Sequence, residues 1–239
     1  MWKGKKVSVV FSTYNEKESI RRCINDFFRT GVVEEVIAIN NNAVFGTDEE
    51  IEKTKARLIH ETKQGFGWGF RRAMKETTGD IIVITEPDGT FEANDIFKLL
   101  AYCDDFDIVF GTRTTSILIG QGANMGFGLK WGNFIVAKFV EILFNTTQLT
   151  DVGCTYRLIK KEAYEKIRKD FVVGGNEFNI DMMLQVIRHK LKFIEIPVNY
   201  RKRVGKSSVT GSFWKTFKVA VNMIILTLQH RLNIIKSRG

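Results

Sequence analysis

One short stretch, residues 80–91, limits what this chain can fold into more than any other. Residues 81–84 are an unbroken run of Ile and Val, which predicts a strand buried on both faces. The run leads straight to Glu86, Pro87, Asp88 and Gly89, where proline cannot continue a ladder and glycine permits a turn. Because ligands gather at the carboxyl ends of strands in open α/β sheets, this edge predicts a binding site.

The acidic pair in this stretch has two interpretations on local evidence. Glu86 and Asp88 are hard oxygen ligands one residue apart, which suits a divalent cation that also holds substrate phosphates. Alternatively, the acids only cap the next helix, since Asn94 and Asp95 lie just ahead. Features elsewhere in the chain are needed to choose between a cation site and a helix cap.

Strands and helices alternate along the chain. This alternation predicts βαβ units and therefore an α/β fold, with a mostly parallel sheet flanked by helices. Beside 81–84, the predicted strands are 7–13, 33–39, 57–60, 107–112 and 193–200, and a loop at 151–159 enters another. The predicted helices are 14–29, 47–55, 70–76, 93–102, 160–168 and 176–189.

A glycine cluster, Gly65, Gly67 and Gly69, precedes the basic helix at 70–76. It is not a dinucleotide fingerprint, because Phe70 stands where the third glycine would be and no strand–GxGxxG–helix begins the chain. We interpret it as flexible backbone that borders a phosphate site.

Charge and cysteine content narrow the class of partner and compartment. The net charge of +9 over 239 residues favours anionic partners: nucleotide phosphates, lipid phosphates or nucleic acid. The three cysteines lack a CxxC spacing, which argues for a reducing compartment and against a zinc site or disulfide framework. We expect no signal peptide and no membrane span, since no run of 18 apolar residues occurs.

Two amphipathic segments have both a structural and a functional interpretation. In 131–145, polar Lys138, Glu141 and Asn145 share one stripe of an otherwise apolar helix. The segment 213–238 is basic and carries Trp214. Each is either a packing helix of the core or a helix that faces an anionic membrane surface.

Several motifs occur in an order that is similar to a known family. They are S-T-Y-N-E at 12–16, N-N-N at 40–42, E-P-D at 86–88, G-T-R at 111–113, D-V-G-C-T-Y-R at 151–157 and R-K-R-V-G-K-S at 201–207. Together they resemble the family-2 inverting glycosyltransferases of the GT-A fold, above all the dolichyl- and polyprenyl-phosphate sugar synthases. The resemblance spans roughly residues 5–210, so we expect a catalytic domain at 1–210 and C-terminal amphipathic, membrane-interface helices at 211–239.

The resemblance implies roles for the matching positions. Glu86 and Asp88 would hold Mg²⁺ or Mn²⁺ against a diphosphate. The expected nucleotide-binding residues are Ser12, Tyr14, Glu16, Asn40, Asn41 and, in the glycine cluster, Gly65. The expected catalytic residues are Asp88, Arg157 and Asp181, the last as a base if the acceptor is a hydroxyl, a role open also to Glu177. The expected acceptor-phosphate residues are Arg113, Lys130, Arg201, Arg203 and Lys206.

The chain departs from the family pattern at four places, of which the mildest is Ser12 in place of a frequent proline. Glu86 replaces the first aspartate of D-x-D and lengthens its arm. Asn40 and Asn41 replace an aspartate pair at the base site, which leaves UDP or GDP open. The element Asp-x-x-Ser-Gly-Phe-Arg keeps only Asp151 and Arg157.

The expected activity is transfer of one sugar from a nucleotide-diphosphate donor to a polyprenyl phosphate, with inversion, by a peripheral protein on the cytoplasmic side of a membrane. An ionised phosphate acceptor needs no strong base, and an excess of Arg and Lys can hold two anions together. A saccharide, protein or other lipid acceptor is the first alternative. A non-catalytic basic module that binds membrane or nucleic acid is the second, but no RNA-binding signature or base-reading helix supports a nucleic-acid partner.

Overall fold

The computed structural model describes residues 1–123, 127–205 and 213–232, except the side chains of 127 and 213–216, and these residues build a seven-stranded sheet between two layers of helices. The strands are β1 (Val7–Thr13), β2 (Glu35–Asn40), β3 (Arg57–His60), β4 (Ile81–Ile84), β5 (Ile108–Thr112), β6 (Arg157–Lys160) and β7 (Phe193–Pro197). Their order is β3-β2-β1-β4-β6-β5-β7. Only β6 is antiparallel to its neighbours, so the predicted mostly parallel α/β sheet is confirmed.

Successive residues of each strand point to opposite faces of the sheet, so they belong to two separate hydrophobic cores. Val9 and Phe11 of β1 point to one face and Val10 to the other, as the two-residue period of a strand requires. The α-helices are α1 (Lys17–Arg29), α2 (Thr47–Glu52), α3 (Phe66–Lys75), α4 (Ile96–Ala101), α5 (Phe127–Phe144), α6 (Lys161–Ile167), α7 (Phe178–Arg188) and α8 (Phe213–Arg231). Helices α1, α2 and α4 cover the first core, which contains Val9 and Phe11. The other five helices cover the second core, which contains Val10.

The topology brings five chain segments to one edge of the sheet. The parallel strands β1, β2, β4 and β5 all end there. Because β6 is antiparallel, it begins at this edge, where its first residue, Arg157, lies opposite Ile84 at the end of β4. The loop that precedes β6 therefore meets the loops that follow β1, β4 and β5.

The glycine cluster is not flexible backbone, and that prediction was wrong for two of its members. Helix α3 begins at Phe66 and so contains Gly67 and Gly69. A Cβ on Gly69 would lie 2.0 Å from the Ser12 Oγ, and one on Gly67 would lie 2.9 Å from the Phe178 Cβ. These glycines let α3 pack closely against β1 and α7.

Helices α5 and α8 are each buried on one side and apolar on the exposed side. They pack against one another, and Val136, Val140, Met223 and Leu226 join the second core. Ile142, however, is 80% exposed on the outer side of α5. No helix within the described ranges is long and apolar enough to cross a membrane. The division at residue 210 stays a prediction.

Candidate functional site

A cavity of about 530 Å³ opens at the edge where the loops meet. Its polar wall comes from the loops after β1 and β4 and from the segment before α3, and its apolar wall comes from α5 and α8. The polar lining includes Ser12, Tyr14, Glu16, Asn41, Gln64, Glu86, Arg113, Asn179 and Arg203. The apolar lining includes Leu129, Val136, Val219, Ala220 and Met223.

Three carboxylates converge on one guanidinium at the polar end of this cavity. Arg203 Nη1 lies 2.6 Å from Asp88 Oδ2 and 3.4 Å from Glu86 Oε2. Its Nη2 pairs with Glu16 Oε1. Three negative groups around a single positive one leave an excess of negative charge. The sequence predicted Arg203 as an acceptor-phosphate residue, whereas the structure places it among the acidic groups.

Backbone and hydroxyl donors fix two of the three carboxylates. Asp88 Oδ1 accepts hydrogen bonds from the Thr90 backbone N–H at 2.9 Å and the Thr90 hydroxyl at 2.6 Å. Glu16 Oε2 accepts from the backbone N–H groups of Tyr14 at 2.8 Å and Asn15 at 2.9 Å. The remaining oxygen of each carboxylate is thus turned towards Arg203.

The charges of this cluster depend strongly on one another. Burial, together with the neighbouring Asp88 carboxylate, raises the pKa of Glu86 to about 7, while Arg203 and the Thr155 hydroxyl oppose this rise. Burial lowers the pKa of Arg203, but Asp88, Glu86 and Glu16 outweigh it and leave that pKa raised. The positive charge of Arg203 therefore helps to keep the Glu86 carboxyl group ionised.

The acidic cluster fits a divalent cation only together with a further ligand. Among the described residues, no group of three His, Cys, Asp or Glu is arranged to hold a metal. The oxygen set of Glu86 and Asp88 nevertheless suits Mg²⁺ or Mn²⁺, which proteins bind through one or two carboxylates plus substrate phosphates. In addition, Arg203 Nε is buried without an acceptor in the described part of the chain, which leaves a donor for an anionic oxygen.

Arg113 and Asp151 form a buried ion pair on the cavity wall. Arg113 Nε and Nη2 each donate to an Asp151 oxygen at 2.8 Å, and the Arg113 backbone N–H donates to the same carboxylate at 3.0 Å. Burial opposes the charge of Asp151, but Arg113 holds its pKa below the usual value. The guanidinium lies 5.2 Å from the Tyr200 ring centroid and borders the cavity, and its role as an acceptor-phosphate residue stays a prediction.

The predicted nucleotide-binding residues divide into two groups. Ser12, Tyr14, Glu16, Asn41 and Gly65 all line the cavity. The Asn41 side chain is already committed there, because it donates to the carbonyls of residues 61 and 63 and accepts from the Gly65 N–H. Asn40 lies outside the described lining, where it donates to Asp48 at 2.6 Å.

Two of the predicted catalytic residues belong to the core and not to the cavity. Arg157 is 1% exposed and donates to the carbonyls of Val152, Cys154 and Asn179. Asp181 is fully buried and accepts from the backbone N–H groups of residues 172 and 173. Both predictions of direct contact with substrate are corrected, because these hydrogen bonds hold backbone groups of nearby loops and of α7.

Two other predicted acceptor residues, Lys130 and Arg201, are not part of the cavity lining. Lys130 donates to the Ser116 hydroxyl at 3.0 Å. Arg201 is largely exposed, pairs with Glu92 at 2.6 Å and borders a second, smaller cavity. Lys206 and the side chain of Trp214 lie outside the described residues.

Sequence reasoning missed several polar residues at the site, among them Thr155 and Asn179. The Thr155 hydroxyl donates to Glu86 Oε1 at 2.6 Å, and Asn179 Nδ2 donates to the Thr155 hydroxyl at 3.0 Å. Thr155 lies inside the D-V-G-C-T-Y-R motif, where its departure from glycine was a usable signal. No signal in the sequence indicated Asn179, because its position depends on how α7 packs.

The fold and the acidic cavity together define a group-transfer site for a substrate with phosphates, and comparison with known proteins gives the family. The model of Glycosyl transferase family 2 matches residues 8–168, and the chain belongs to that family. The chain is 25% identical over 231 residues to the dolichyl-phosphate hexose transferase of Haloferax volcanii, covering 95% of this chain and 96% of that protein. It is 22% identical over 222 residues to the undecaprenyl-phosphate mannosyltransferase of Micrococcus luteus, covering 86% and 88%.

Other matches agree on the fold. A Haloferax volcanii hexosyltransferase of low-salt glycan biosynthesis is 23% identical over 210 residues, and this chain spans about half (49%) of its length. Glucosyl-3-phosphoglycerate synthase from Mycobacterium tuberculosis, solved with Mn²⁺, UDP and glucosyl-3-phosphoglycerate, superposes with a TM-score of 0.74. That match has 16% identity and covers 98% of this chain and 82% of the other. The predicted GT-A fold is confirmed.

Proposed function

We propose that this protein transfers one sugar from a nucleoside diphosphate sugar to a polyprenyl phosphate, with inversion at the anomeric carbon. The relatives named for dolichyl-phosphate and undecaprenyl-phosphate transfer support the acceptor class. The neighbour solved with Mn²⁺ and UDP supports a donor of the nucleoside diphosphate type and a divalent cation. Whether the base is uracil or guanine is left to experiment.

The single observation that carries this proposal is that one cavity joins two opposite chemical environments. At one end lies the acidic cluster of Glu16, Glu86 and Asp88 with Arg203. At the other end the cavity runs between α5 and α8 over apolar side chains and over Gly128 and Gly132, whose Cα atoms face open space. A charged head attached to an isoprenoid chain matches both ends.

Arg113 is the best candidate to hold the acceptor phosphate, because it is close to both ends. It packs against Tyr200, and its Nη2 borders Gly153 next to Asn133 of α5. Asp151 fixes the guanidinium by two hydrogen bonds, so little side-chain freedom is lost when an anion binds. Arginine also offers the paired donors that phosphate oxygens prefer.

The chemistry requires positioning more than proton transfer. A phosphate oxygen of the acceptor attacks the anomeric carbon, and the bond from that carbon to the diphosphate breaks, with its electron pair leaving on the nucleoside diphosphate. Glu86 and Asp88 would hold Mg²⁺ or Mn²⁺, which neutralises charge on the leaving diphosphate when bound. Arg203 Nε and Arg113 would orient the two anions against their mutual repulsion.

The alternative of a hydroxyl acceptor would require a general base, and the two carboxylates predicted for it are engaged elsewhere. Asp181 is buried and bound to backbone N–H groups. Glu177 Oε1 accepts a hydrogen bond from Asn222 of α8 at 2.8 Å. Both arrangements favour an acceptor that is already ionised.

We also propose that the protein works at the cytoplasmic surface of a membrane. A lipid acceptor has to be reached at a bilayer, and α5 and α8 expose apolar side chains beside the apolar end of the cavity. The three cysteines are free and buried, which is compatible with a reducing compartment.

Transfer from labelled UDP-glucose and GDP-mannose to a short polyprenyl phosphate, with Mn²⁺ or Mg²⁺, tests the proposal. We expect label in the lipid fraction with one donor, none with the free polyprenol, and loss of at least ~100-fold activity in Asp88→Asn. Transfer to polyprenol or to a soluble saccharide instead would reject the phosphate acceptor. Metal-independent activity would reject the role of Glu86 and Asp88.

Gly132 gives a second test that concerns only the acceptor chain. Gly132 lines the cavity and a Cβ there would meet no atom of the described residues within 4 Å, so Gly132→Trp places a large side chain at the apolar end of the cavity. We expect the KM for polyprenyl phosphate to rise about tenfold or more while the KM for the donor stays unchanged. Gly132→Ala is the matched control for the helix itself and should leave both constants within about twofold.

A further inference from the structure

The Glu86 side chain is held by a hydroxyl that the acidic motif itself does not supply. Thr155 is fully buried, and its Oγ1 donates a hydrogen bond to Glu86 Oε1 at 2.6 Å. The other oxygen, Oε2, is the one that lies near Arg203, at 3.4 Å. Thr155 therefore determines which carboxylate oxygen is available on the cation side.

The direction of the Thr155 hydroxyl is fixed in turn from α7. Asn179 Nδ2 donates to Thr155 Oγ1 at 3.0 Å and also to the Gly153 carbonyl at 3.1 Å. Because the hydroxyl accepts from this amide, its single proton is free to point at Glu86. The Asn179 backbone carbonyl in turn accepts a hydrogen bond from Arg157. The N-terminal end of α7 therefore holds this series of hydrogen bonds in place.

This contact joins two positions at which the sequence departs from the family pattern. Glu86 stands where D-x-D begins with aspartate, and Thr155 stands where the D-x-x-S-G-F-R element has glycine. An aspartate at 86 would be shorter by one methylene and would withdraw its carboxylate from the hydroxyl. A glycine at 155 would leave Glu86 Oε1 without this donor. The two departures are thus physically complementary.

We propose that Thr155, oriented by Asn179, is a positioning residue that holds the longer Glu86 arm in the geometry needed at the cation and diphosphate site. Glutamate has one more rotatable bond than aspartate, so its carboxylate has more freedom to lose when it binds an ion. A hydrogen bond that restrains the free state reduces that loss. The inference deepens the proposed function, since it rests on Glu86 and Asp88 as the cation site.

Mn²⁺ binding measured by electron paramagnetic resonance, in the presence of UDP and separately of GDP, tests this role without any turnover. Thr155→Val keeps the shape of the side chain and removes the hydroxyl, whereas Thr155→Ser keeps the hydroxyl. We expect Thr155→Val to weaken Mn²⁺ binding about 10–100-fold, the range seen when a partner of a metal ligand is removed. Thr155→Ser should stay within about threefold of the wild type.

A double-mutant cycle with Glu86→Asp separates positioning from a general structural effect. If Thr155 acts through the length of residue 86, Thr155→Val should change Mn²⁺ affinity by less than about threefold in the Glu86→Asp background. Equal losses in both backgrounds, or wild-type affinity in Thr155→Val, would overturn the inference. Circular dichroism of each variant identifies any that fail to fold, and Thr155→Ala then replaces Thr155→Val.

Failure of the inference and failure of the proposed function give different results. A wild-type protein that binds Mn²⁺ with a nucleoside diphosphate, together with an unaffected Thr155→Val, rejects only the role of Thr155. A wild-type protein that binds no Mn²⁺ with either nucleotide rejects the cation site and the positioning role with it.

Discussion

Glu195 shows how a single half-buried carboxyl group holds a loop behind the cavity wall. It accepts hydrogen bonds from the backbone N–H groups of Thr150 at 2.7 Å and Asp151 at 3.0 Å, and from the Thr150 hydroxyl. These contacts hold the loop that presents Asp151 to Arg113. Burial, with the nearby Asp151 carboxylate, raises the pKa of Glu195 to about 7.

This raised pKa predicts a specific dependence of stability on pH. The folded state keeps the Glu195 proton up to about pH 7, whereas the unfolded chain loses it near the ordinary value of 4.5. The stability contributed by this group is therefore present below about pH 4.5 and is lost as the pH rises through about 7. The pKa rises from 4.5 to about 7 on folding, and one pKa unit corresponds to about 1.4 kcal/mol, so the loss is at most about 3.5 kcal/mol.

Glu195→Gln removes the titration and tests this prediction. Urea denaturation at pH 5, 6, 7 and 8 should show that the free energy of unfolding falls more in the wild type than in Glu195→Gln across this range. Glu18→Gln, at an exposed position of α1, is the matched control and should follow the wild type. Parallel curves for the wild type and Glu195→Gln would contradict the assignment.

At the scale of elements, the close approach of α3 to β1 builds the nucleotide side of the cavity. Gly69 lies against Ser12, and Gly65 and Phe66 at the start of α3 line the cavity. Gly174 permits a close approach to the first turn of the same helix, because a Cβ there would lie 2.0 Å from the Trp68 Nε1. Because these glycines have no side chains, α3 can lie this close to its neighbours.

Gly69→Ala should destabilise the protein although alanine is the better helix former. The added Cβ would lie 2.0 Å from Ser12 Oγ and 2.8 Å from Ser12 Cβ, so α3 has to move away from β1. Overpacking of this kind costs about 1–3 kcal/mol, against a gain of up to about 1 kcal/mol in helix propensity. We expect a lower unfolding midpoint in urea and weaker nucleotide binding.

Gly132→Ala in α5 is the control for this prediction. It adds the same methyl group to a helix interior, but nothing lies within 4 Å of it. Its free energy of unfolding should be equal to or above that of the wild type. A Gly69→Ala protein as stable as Gly132→Ala would show that α3 and β1 tolerate a wider separation.

At the scale of the whole molecule, the largest apolar side chains left exposed on helices lie mainly on α5 and α8. On α5, Ile135 is 60% and Ile142 80% exposed, and they are separated by two helical turns. The exposed apolar residues of α8 are Phe217, Val221, Ile224, Ile225 and Leu228, and Leu232 directly after the helix is also exposed. Such faces, with exposed Lys218 and Arg231 beside them and a net charge of +9, match an anionic membrane surface.

Charges placed on this face should weaken binding to membranes. Ile142→Glu combined with Ile225→Glu removes apolar area at two exposed positions and adds repulsion from anionic lipid. We expect co-sedimentation with vesicles that contain phosphatidylglycerol to fall several-fold at constant salt. Phe45→Glu, in a loop and 91% exposed, adds one such charge away from this face and should bind more than either single variant, Ile142→Glu or Ile225→Glu, does.

Unchanged sedimentation of the double variant would contradict a membrane role for α5 and α8. If the double variant alone changes the oligomeric state in sedimentation velocity without lipid, the face packs against a second copy instead. Melting midpoints near that of the wild type ensure that the comparison concerns folded protein.

The sequence by itself determined the features that depend on local pattern. Apolar runs such as 81–84 can only be buried strands, and the turn after them follows from Pro87 and Gly89. The order of the strands and helices implied a mostly parallel sheet, and the carboxyl edge of that sheet implied where Glu86 and Asp88 would lie. The ordered motifs gave the family, which the comparison confirmed.

Only the tertiary structure decided which residues share the site. Arg157 and Asp181 occur in suggestive motifs, yet packing places both in the core, where backbone groups use their hydrogen bonds. Arg203 lies more than a hundred residues from Asp88, and the return of the chain after β7 brings the two together. Charge and residue type are local properties, whereas contact between distant residues depends on how whole elements pack.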